Sequence, residues 1–213
     1  MTKSTNPKIF ITGIPTAGKT YLAKKIVKAT GGFCLETDNL REELARDPRF
    51  SRWVDFFDEE SEYEYYTNNT PEEQWRILDE QHESLWPGVL EKIRAYESGR
   101  IPLKSKIAAH IRKPLRGKRP LVFEGINILP RLAINDLDFP GVVLVGKSFE
   151  EVLENNRKRP RWGKSEKMIR MGAEAFWFVE RPHYIAEAES CGYKIFEDAN
   201  EAYTEVIKML DLK

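Results

Sequence analysis

The chain has 213 residues, and its 34 Lys and Arg equal its 34 Asp and Glu, which gives a formal net charge of zero. This length fits one domain, residues 1–213, with room for an insertion or a lid, and the balanced charge gives no support for a general role at nucleic acids or membrane surfaces. No apolar stretch approaches the ~20 residues that span a bilayer, so we expect a cytoplasmic monomer or homodimer that binds neither nucleic acid nor membranes.

The first predicted elements are a buried strand at residues 8–12, a glycine-rich loop and a helix. Residues 13–20 read GIPTAGKT, a full match to the phosphate-loop pattern G-x-x-x-x-G-K-[ST]. A helical pattern over residues 21–28 ends at Gly31 and Gly32. Backbone N–H groups in such a loop, together with the helix N-terminus, bind phosphate oxygens. The sequence therefore predicts a nucleoside triphosphate site.

Two residues of this loop carry side-chain chemistry. Lys19 would reach the β- and γ-phosphates, and Thr20 would offer its hydroxyl to Mg²⁺. The cofactor-binding residues predicted from the loop are Gly13, Thr16, Ala17, Gly18, Lys19 and Thr20.

The second apolar run, residues 32–36, is followed by Asp38. At this strand end a carboxylate could accept or orient the proton of an acceptor hydroxyl, which would make Asp38 a catalytic and substrate-binding residue. Asp38 could also be the N-cap of a helix over residues 39–46, and the two roles are compatible. Arg41 would face the same cavity and hold an acidic group of the acceptor, with a solvent-facing arginine as the alternative.

Residues 50–118 form an insertion between the second and third predicted strands. Thr70, Pro71 and Glu73 make a capping box that opens a helix within it. Residues 55–64 contain six acids and no base, whereas residues 99–123 contain eight Lys or Arg and no acid. The simpler interpretation is a solvated acidic loop and a solvated basic helix. The alternative is that the basic segment meets an anionic substrate or the acidic loop.

The third run, residues 120–123, ends at Glu124 and Gly125. A carboxylate at this position can bind Mg²⁺ through water or assist the base, so Glu124 is predicted as a catalytic and metal-binding residue. The alternative is an ordinary acid in a surface turn. Gly125 suggests close backbone approach to a ligand and is predicted to bind substrate.

A second stretch, residues 141–148, reads GVVLVGKS and matches the phosphate-loop pattern letter for letter. Its central residues Val-Val-Leu-Val favour a buried strand, so their amides cannot converge on an anion. No apolar strand precedes it. We therefore reject this copy and predict a fourth strand at residues 142–145.

Three arginines alternate in the segment after the next predicted helix. Arg157, Arg159 and Arg161 precede Gly163, at a helix-to-loop exit that suits a mobile lid over residues 157–166. Arg157 and Arg159 are predicted to bind nucleotide, and Arg157 and Arg161 to be catalytic. The alternative is that these cations only offset the helix dipole.

The predicted strands alternate with helices, which indicates an α/β fold with a parallel sheet covered on both faces. Such sheets bind ligands at the carboxyl ends of their strands. All runs except the fourth end in a polar or acidic residue, so these acids should gather around the phosphates. The runs cover residues 8–12, 32–36, 120–123, 142–145 and 193–196.

These motifs resemble the small-molecule P-loop kinases: nucleoside monophosphate kinases, gluconate and shikimate kinases, chloramphenicol phosphotransferase and especially the 2-phosphoglycerate-kinase-like group. The resemblance rests on GIPTAGKT, on TDNLRE at residues 37–42, on FEG and ILP at residues 123–125 and 128–130, and on the arginine-rich segment. It implies a P-loop NTPase three-layer fold, a five-stranded parallel sheet in the order 2-3-1-4-5, a helical acceptor-binding insertion and an arginine lid. The insertion departs from the familiar forms of the family, which leaves the acceptor open.

The leading hypothesis is an ATP- and Mg²⁺-dependent kinase whose partners are a nucleoside triphosphate and a small-molecule acceptor. One alternative is an NTP hydrolase or a nucleotide-binding regulator. Two absences argue against this alternative. The chain has no Asn-Lys-x-Asp segment that would recognise guanine, and its third apolar run lacks the Asp-Glu pair of motor ATPases. Another alternative is a toxin-like kinase acting on a sugar nucleotide.

Overall fold

The computed structural model describes residues 6–52, 59–99, 119–161 and 163–210, without the side chains of Glu42 and Glu59. Within these ranges the strands form one five-stranded sheet in the order β2-β3-β1-β4-β5. Every neighbouring pair is parallel. The strands are β1 (Lys8–Gly13), β2 (Phe33–Glu36), β3 (Leu121–Glu124), β4 (Gly141–Leu144) and β5 (Lys194–Phe196).

Helices connect consecutive strands, as parallel pairing requires. A tight 3₁₀ turn, Thr37–Leu40, follows β2, and a π-helical stretch, Ala175–Glu180, joins α7 to α8. The α-helices are α1 (Lys19–Thr30), α2 (Arg41–Leu44), α3 (Glu59–Asn68), α4 (Pro71–Glu97), α5 (Pro130–Asp136), α6 (Phe149–Lys158), α7 (Glu166–Glu174), α8 (Arg181–Cys191) and α9 (Ala199–Met209).

Strand β1 lies at the centre of the sheet, where it separates two apolar clusters. Because side chains alternate along a strand, Ile9 and Ile11 join one cluster, with α1 and α9, whereas Phe10 joins the other, with α4. All three side chains are fully buried. Because apolar clusters pack on both faces of β1, the carboxyl end of β1 and the loop after it are held in a fixed position.

Two helices, α3 and α4, lie in the predicted insertion between β2 and β3. The capping box is confirmed: the Thr70 hydroxyl accepts from the Glu73 backbone N–H, and the Glu73 carboxylate accepts from the Thr70 N–H at 2.8 Å. In the acidic segment, residues 59–64 belong to α3, whereas residues 55–58, like residues 100–118 of the basic segment, lie outside the described residues. In the described ranges, no helix combines the length and the apolar character that crossing a bilayer requires.

The predicted strands are confirmed to within one residue at each end. The rejected second motif is also confirmed as a strand, since its first four residues form the buried strand β4. The prediction of Asp38 as a helix N-cap is wrong. Residues 37–40 form the 3₁₀ turn, α2 begins only at Arg41, and no side-chain cap bond forms at either start. The Asp38 carboxylate instead bonds to other elements, as described below.

Candidate active site

The loop between β1 and α1 has the backbone conformation of a phosphate loop. Gly13 has a φ of 121°, and a Cβ atom there would lie 1.9 Å from the Leu144 carbonyl oxygen, so no other residue fits. Thr16, with a φ of 61°, is the one non-glycine residue of the described ranges in the left-handed region. The glycines of the Gly-x-x-x-x-Gly pattern thus allow the sharp turn that connects β1 to α1.

Lys19, the first residue of α1, turns its side chain back over this loop. Its Nζ donates to the carbonyl oxygens of Gly13 at 2.9 Å and Ile14 at 2.6 Å. Burial lowers the pKa of Lys19 to about 8, against the opposing effect of the Asp38 and Glu124 charges. The ammonium group therefore lies at the loop, where an anionic phosphate would stabilise its charged form.

Thr20 and Glu124 form the second feature of the site. The Thr20 hydroxyl donates to Glu124 Oε1 at 2.8 Å, and Glu124 Oε2 is buried without a hydrogen-bond partner among the described residues. Burial, together with the Asp38 charge, raises the pKa of Glu124 to about 7, while Lys19 and Thr20 lower it. A hydroxyl beside an unpartnered carboxylate oxygen fits a Mg²⁺ ion, which prefers oxygen ligands and keeps water and phosphate in its shell.

Each carboxylate oxygen of Asp38 accepts a hydrogen bond from a different part of the chain. Oδ1 accepts from the Ile126 backbone N–H at 2.9 Å, and Oδ2 accepts from Arg161 Nη2 at 3.1 Å. Burial alone would raise the pKa of Asp38, but the nearby cations Arg161, Arg41 and Lys19 and the Ile126 bond hold it below its ordinary value. Asp38 is therefore ionised at neutral pH.

Gly125 gives Asp38 the space to make these bonds. A Cβ atom at position 125 would lie 2.0 Å from Thr37 Oγ1 and 2.7 Å from Asp38 Oδ1. The close approach at Gly125 is thus to side chains of the turn after β2, whereas the sequence suggested an approach to a ligand.

A cavity of about 410 Å³, here called the outer cavity, opens above the loop. Its walls come from the loop with the start of α1, the turn after β2, helix α6 with the segment that follows it, and the turn between β5 and α9. Among the described residues its lining consists of Pro15, Thr16, Ala17, Gly18, Lys19, Thr20, Tyr21, Asp38, Glu151, Asn155, Arg159, Arg161, Glu197, Asp198, Ala199 and Asn200.

Two further lining residues have clear structural roles. Asn155 Nδ2 donates to the Thr16 carbonyl oxygen at 3.2 Å, which ties α6 to the phosphate loop. Asp198 caps α9 by accepting from the backbone N–H of Asn200 at 2.6 Å. The acidic end of the fifth run pointed to Asp198, but no local pattern identifies Asn155, because its partner lies 139 residues away.

The three predicted arginines occupy different surroundings. Arg159 and Arg161 line the outer cavity. Arg157 is not part of that lining; its guanidinium forms an ion pair with Glu166 at 2.5 Å and lies 3.9 Å from Glu154. The nucleotide-binding role of Arg157 stays a prediction.

Arg41 lies beside a second, smaller cavity of about 50 Å³, here called the inner pocket. Arg41 is 7% exposed, and its Nη2 lies 3.4 Å from Nε2 of the fully buried His82. Burial and then the Arg41 charge lower the pKa of His82 to about 3, so the imidazole is neutral and accepts this bond. Arg41 is therefore not the solvent-facing arginine that the sequence left open.

Two buried acids, Glu62 from α3 and Glu180 from the π-helical stretch, also line the inner pocket. Burial raises the pKa of Glu62 to about 8 and that of Glu180 to about 7. Neither acid was predicted from the sequence. Glu62 lies in a run of acids that resembles a solvated surface, whereas in the structure α3 packs against α7 and the π-helical stretch packs against α4.

The parallel sheet in the order 2-3-1-4-5, with the phosphate loop between β1 and α1, confirms the predicted P-loop fold class and strand order. Among solved structures, the chain is similar to the shikimate kinase from Acinetobacter baumannii in complex with shikimate, with 13% identity over 97% of this chain and 94% of that chain and a TM-score of 0.50. It is also similar to the deoxyadenosine kinase from M. mycoides with bound dATP, with 14% identity over 94% of this chain and 97% of that chain and a TM-score of 0.45. No protein-family model matches the chain, and no curated protein matches it in sequence. At such identities the likeness concerns the fold, so the function has to be argued from the site.

Proposed function

We propose that this protein is an ATP- and Mg²⁺-dependent phosphotransferase that moves the γ-phosphate to a hydroxyl or phosphate group of a small molecule. One observation carries the proposal: the outer cavity is lined by a lysine, an ionised aspartate and a threonine whose hydroxyl donates to a buried glutamate. Lys19 supplies the cation for the phosphates, Thr20 and Glu124 supply oxygens for a metal, and Asp38 supplies a carboxylate for the acceptor. These are the parts that phosphoryl transfer requires.

The donor would bind along the phosphate loop. Lys19 would exchange its hydrogen bonds to two backbone carbonyl oxygens for bonds to the β- and γ-phosphate oxygens. The negative phosphates would then stabilise the charged ammonium group, which burial destabilises. Arg159 and Arg161, which line the same cavity, would neutralise further phosphate charge.

Thr20 and Glu124 would hold the Mg²⁺ ion, with water and phosphate oxygens as its other ligands. When bound, this ion would offset the charge that develops on the transferred group.

The transfer step then depends on Asp38. The acceptor oxygen forms a bond to the γ-phosphorus while the bond from that phosphorus to the β,γ-bridging oxygen breaks, and ADP leaves with the electron pair. The acceptor hydroxyl gives its proton to the Asp38 carboxylate, which later releases it to water. Arg161, at 3.1 Å from Asp38 Oδ2, lies beside the reacting groups and can stabilise the transferring phosphoryl group.

The test is ATP turnover in the presence of Mg²⁺, with and without a library of hydroxylated and phosphorylated metabolites, followed by ³¹P NMR. We expect at least one acceptor to gain a phosphate and to accelerate ATP consumption. Equal ATP consumption without any acceptor, and no phosphorylated product, would overturn the proposal in favour of a hydrolase.

Two lysines of α1 give a matched pair of variants. Lys19→Ala should abolish turnover, because the cation at the phosphates is lost. Lys28→Ala should leave it unchanged, because Lys28 is exposed in the last turn, about 13 Å further along the helix axis. Near-normal activity of Lys19→Ala would remove the assignment of the phosphate loop.

A further inference from the structure

Thr16, in the phosphate loop, has a backbone conformation that its own side chain disfavours. Its φ of 61° lies in the left-handed region, which a β-branched residue rarely adopts. A residue keeps such a conformation where the surrounding structure imposes it. The contacts of Thr16 therefore indicate which part of the chain determines the shape of the loop.

Helix α6 makes two hydrogen bonds to Thr16. The Thr16 hydroxyl donates to the Val152 carbonyl oxygen at 3.3 Å, and Asn155 Nδ2 donates to the Thr16 carbonyl oxygen at 3.2 Å. Val152 and Asn155 are three residues apart, so they lie on the same side of the helix. The Asn155 side chain is half-buried in the wall of the outer cavity. One helix thus holds both the side chain and the carbonyl group of Thr16.

The Asn155 bond also fixes the direction of a neighbouring N–H group. The peptide bond between Thr16 and Ala17 is trans, so the Thr16 carbonyl oxygen and the Ala17 N–H point in opposite directions. Asn155 holds the carbonyl oxygen on the side of α6. The Ala17 N–H consequently points away from that helix.

The N–H groups of this part of the loop are donors without a backbone acceptor. Within the described ranges, those of Thr16, Ala17 and Gly18 donate to no backbone carbonyl oxygen. Native proteins pair nearly all such groups, and successive N–H groups at a helix N-terminus are typical donors to phosphate oxygens. The same loop holds the Lys19 ammonium group. The direction of the Ala17 N–H therefore matters for a phosphate that binds there.

We infer that Asn155 is a positioning residue for the phosphates of the nucleotide. Through its bond to the Thr16 carbonyl oxygen, it directs the Ala17 N–H toward a phosphate oxygen of the bound triphosphate. The inference rests on one part of the proposed function, the binding of a nucleoside triphosphate at the phosphate loop. Arg159 and Arg161 follow the same helix and line the same cavity, so α6 positions both an N–H donor and the cations of the site.

The first test measures binding of ATP and of tripolyphosphate, each with Mg²⁺, to the full-length protein by calorimetry. Asn155→Ala should raise the Kd of both ligands about tenfold or more, the scale of one hydrogen bond to a charged group. Tripolyphosphate has neither base nor ribose, so its loss of affinity reports on the phosphates alone.

Asn135→Ala is the matched control and should leave both Kd values unchanged. Asn135 Nδ2 also donates to a backbone carbonyl oxygen, that of Arg131 at 2.9 Å, but Asn135 is exposed and does not line the outer cavity.

The amide proton of Ala17 gives a measurement that a merely structural role of Asn155 would not change. In the wild type, saturating tripolyphosphate should shift its ¹H NMR resonance downfield, because the N–H forms a hydrogen bond to a charged oxygen. In Asn155→Ala at saturation, this shift should fall to about half or less. A loosened α6 alone would lower the melting temperature and leave the shift as in the wild type.

Three results would overturn the inference: an unchanged Kd of tripolyphosphate in Asn155→Ala, an unchanged shift of the Ala17 proton, or a raised Kd of ATP alone. The last result would mean that Asn155 contacts the nucleoside directly. Asn155→Leu has a similar volume and no donor, and it gives the same measurements if Asn155→Ala does not fold.

Failure of this inference and failure of the proposed function give different results. ATP hydrolysis without any phosphorylated product would overturn the phosphotransferase and leave the role of Asn155 intact. Absence of ATP and tripolyphosphate binding to the wild type would overturn both.

Discussion

At the residue scale, Asp38 and Glu124 follow neighbouring strands, yet their surroundings shift their pKa values in opposite directions. Burial raises the pKa of Glu124 to about 7. Asp38 is also buried, but the charges of Arg161, Arg41 and Lys19 outweigh this effect and lower its pKa. Acids with pKa values pushed apart commonly have separate roles. This difference supports Asp38 as the group that orients the acceptor and Glu124 as the group beside the metal.

Replacing Asp38 by Asn tests that separation. Asn keeps an oxygen for the Ile126 N–H but cannot take a proton, so transfer should fall about 10²-fold or more while ATP affinity stays near that of the wild type. Single-turnover rates and ATP binding by calorimetry measure the two quantities. Asp47→Asn is the control, since Asp47 pairs with Arg49 at the surface. Loss of ATP affinity with unchanged transfer per bound ATP would make Asp38 a nucleotide or metal residue.

Glu62 gives a prediction on stability against pH. Its pKa rises to about 8 in the folded protein, through burial, against the opposing effects of the Tyr66 bond, a Gly163 backbone bond and the Arg161 charge; the Glu180 charge raises it further. Between its ordinary pKa of 4.5 and about 8, the unfolded chain binds fewer protons than the folded one, so this group's contribution to stability falls as pH rises. Glu62→Gln removes this dependence.

We therefore expect the melting temperature of Glu62→Gln, relative to that of the wild type, to rise steadily from about pH 5 to about pH 8. Thermal unfolding followed by circular dichroism across this range measures the difference. A difference that stays constant with pH would show that the Glu62 carboxyl group is ionised in the folded protein.

At the element scale, the segment from α6 to α7 carries the predicted lid. Asn156 anchors both of its sides, because its Nδ2 donates to the Ile169 carbonyl oxygen at 2.8 Å and its Oδ1 accepts from the Arg161 backbone N–H at 3.3 Å. Arg159 and Arg161 consequently lie at the outer cavity, while Arg157 pairs with Glu166 across the segment.

The three arginines should therefore differ in their effect on activity. Arg159→Ala and Arg161→Ala should each lower kcat/KM about tenfold or more, because phosphate charge loses a cation. Arg157 lies outside the cavity lining, so Arg157→Ala should cause an equal loss only if residues 157–166 close over the nucleotide. Steady-state kinetics with varied ATP measure these values. Equal losses in all three variants would mean that closure of residues 157–166 carries Arg157 into the cavity.

Elements with local signals could be predicted from the sequence, and elements without them could not. The side chains of Thr70 and Glu73 each accept a hydrogen bond from the backbone N–H of the other residue. A motif of four residues therefore predicts the start of α4. The π-helical stretch Ala175–Glu180 has no such signal, because its residues could equally continue an α-helix. The hydrogen-bond partners of Asp38 were likewise hidden, since Ile126 and Arg161 are 88 and 123 residues away.

At the scale of the whole molecule, nucleotide binding should stabilise the fold. The outer cavity joins the loop after β1, helix α6 and the turn after β5, so a ligand there binds only the folded chain. At 100 times its Kd, Mg²⁺–ATP should contribute about 2.7 kcal/mol, or about 5–10 °C in melting temperature for a chain of this size. Differential scanning fluorimetry measures the shift.

Lys28→Ala should retain this shift, and Lys19→Ala should lose most of it. A shift of the same size in Lys19→Ala would place the nucleotide away from the phosphate loop.

The sequence by itself determined the phosphate loop and the parallel sheet that carries it. GIPTAGKT, the five apolar runs and the acids at their ends are local patterns, and the parallel fold brings strand ends to one edge of the sheet without further information. Only the tertiary structure decided which polar residues are buried around the inner pocket. Glu62, Gln81 and Glu180 come from three separate segments, and each resembles an ordinary polar helix residue until packing removes it from water. The conformation of a loop follows largely from its own residues, whereas the burial of a residue depends on what packs around it. The residues that pack around these three come from distant parts of the chain.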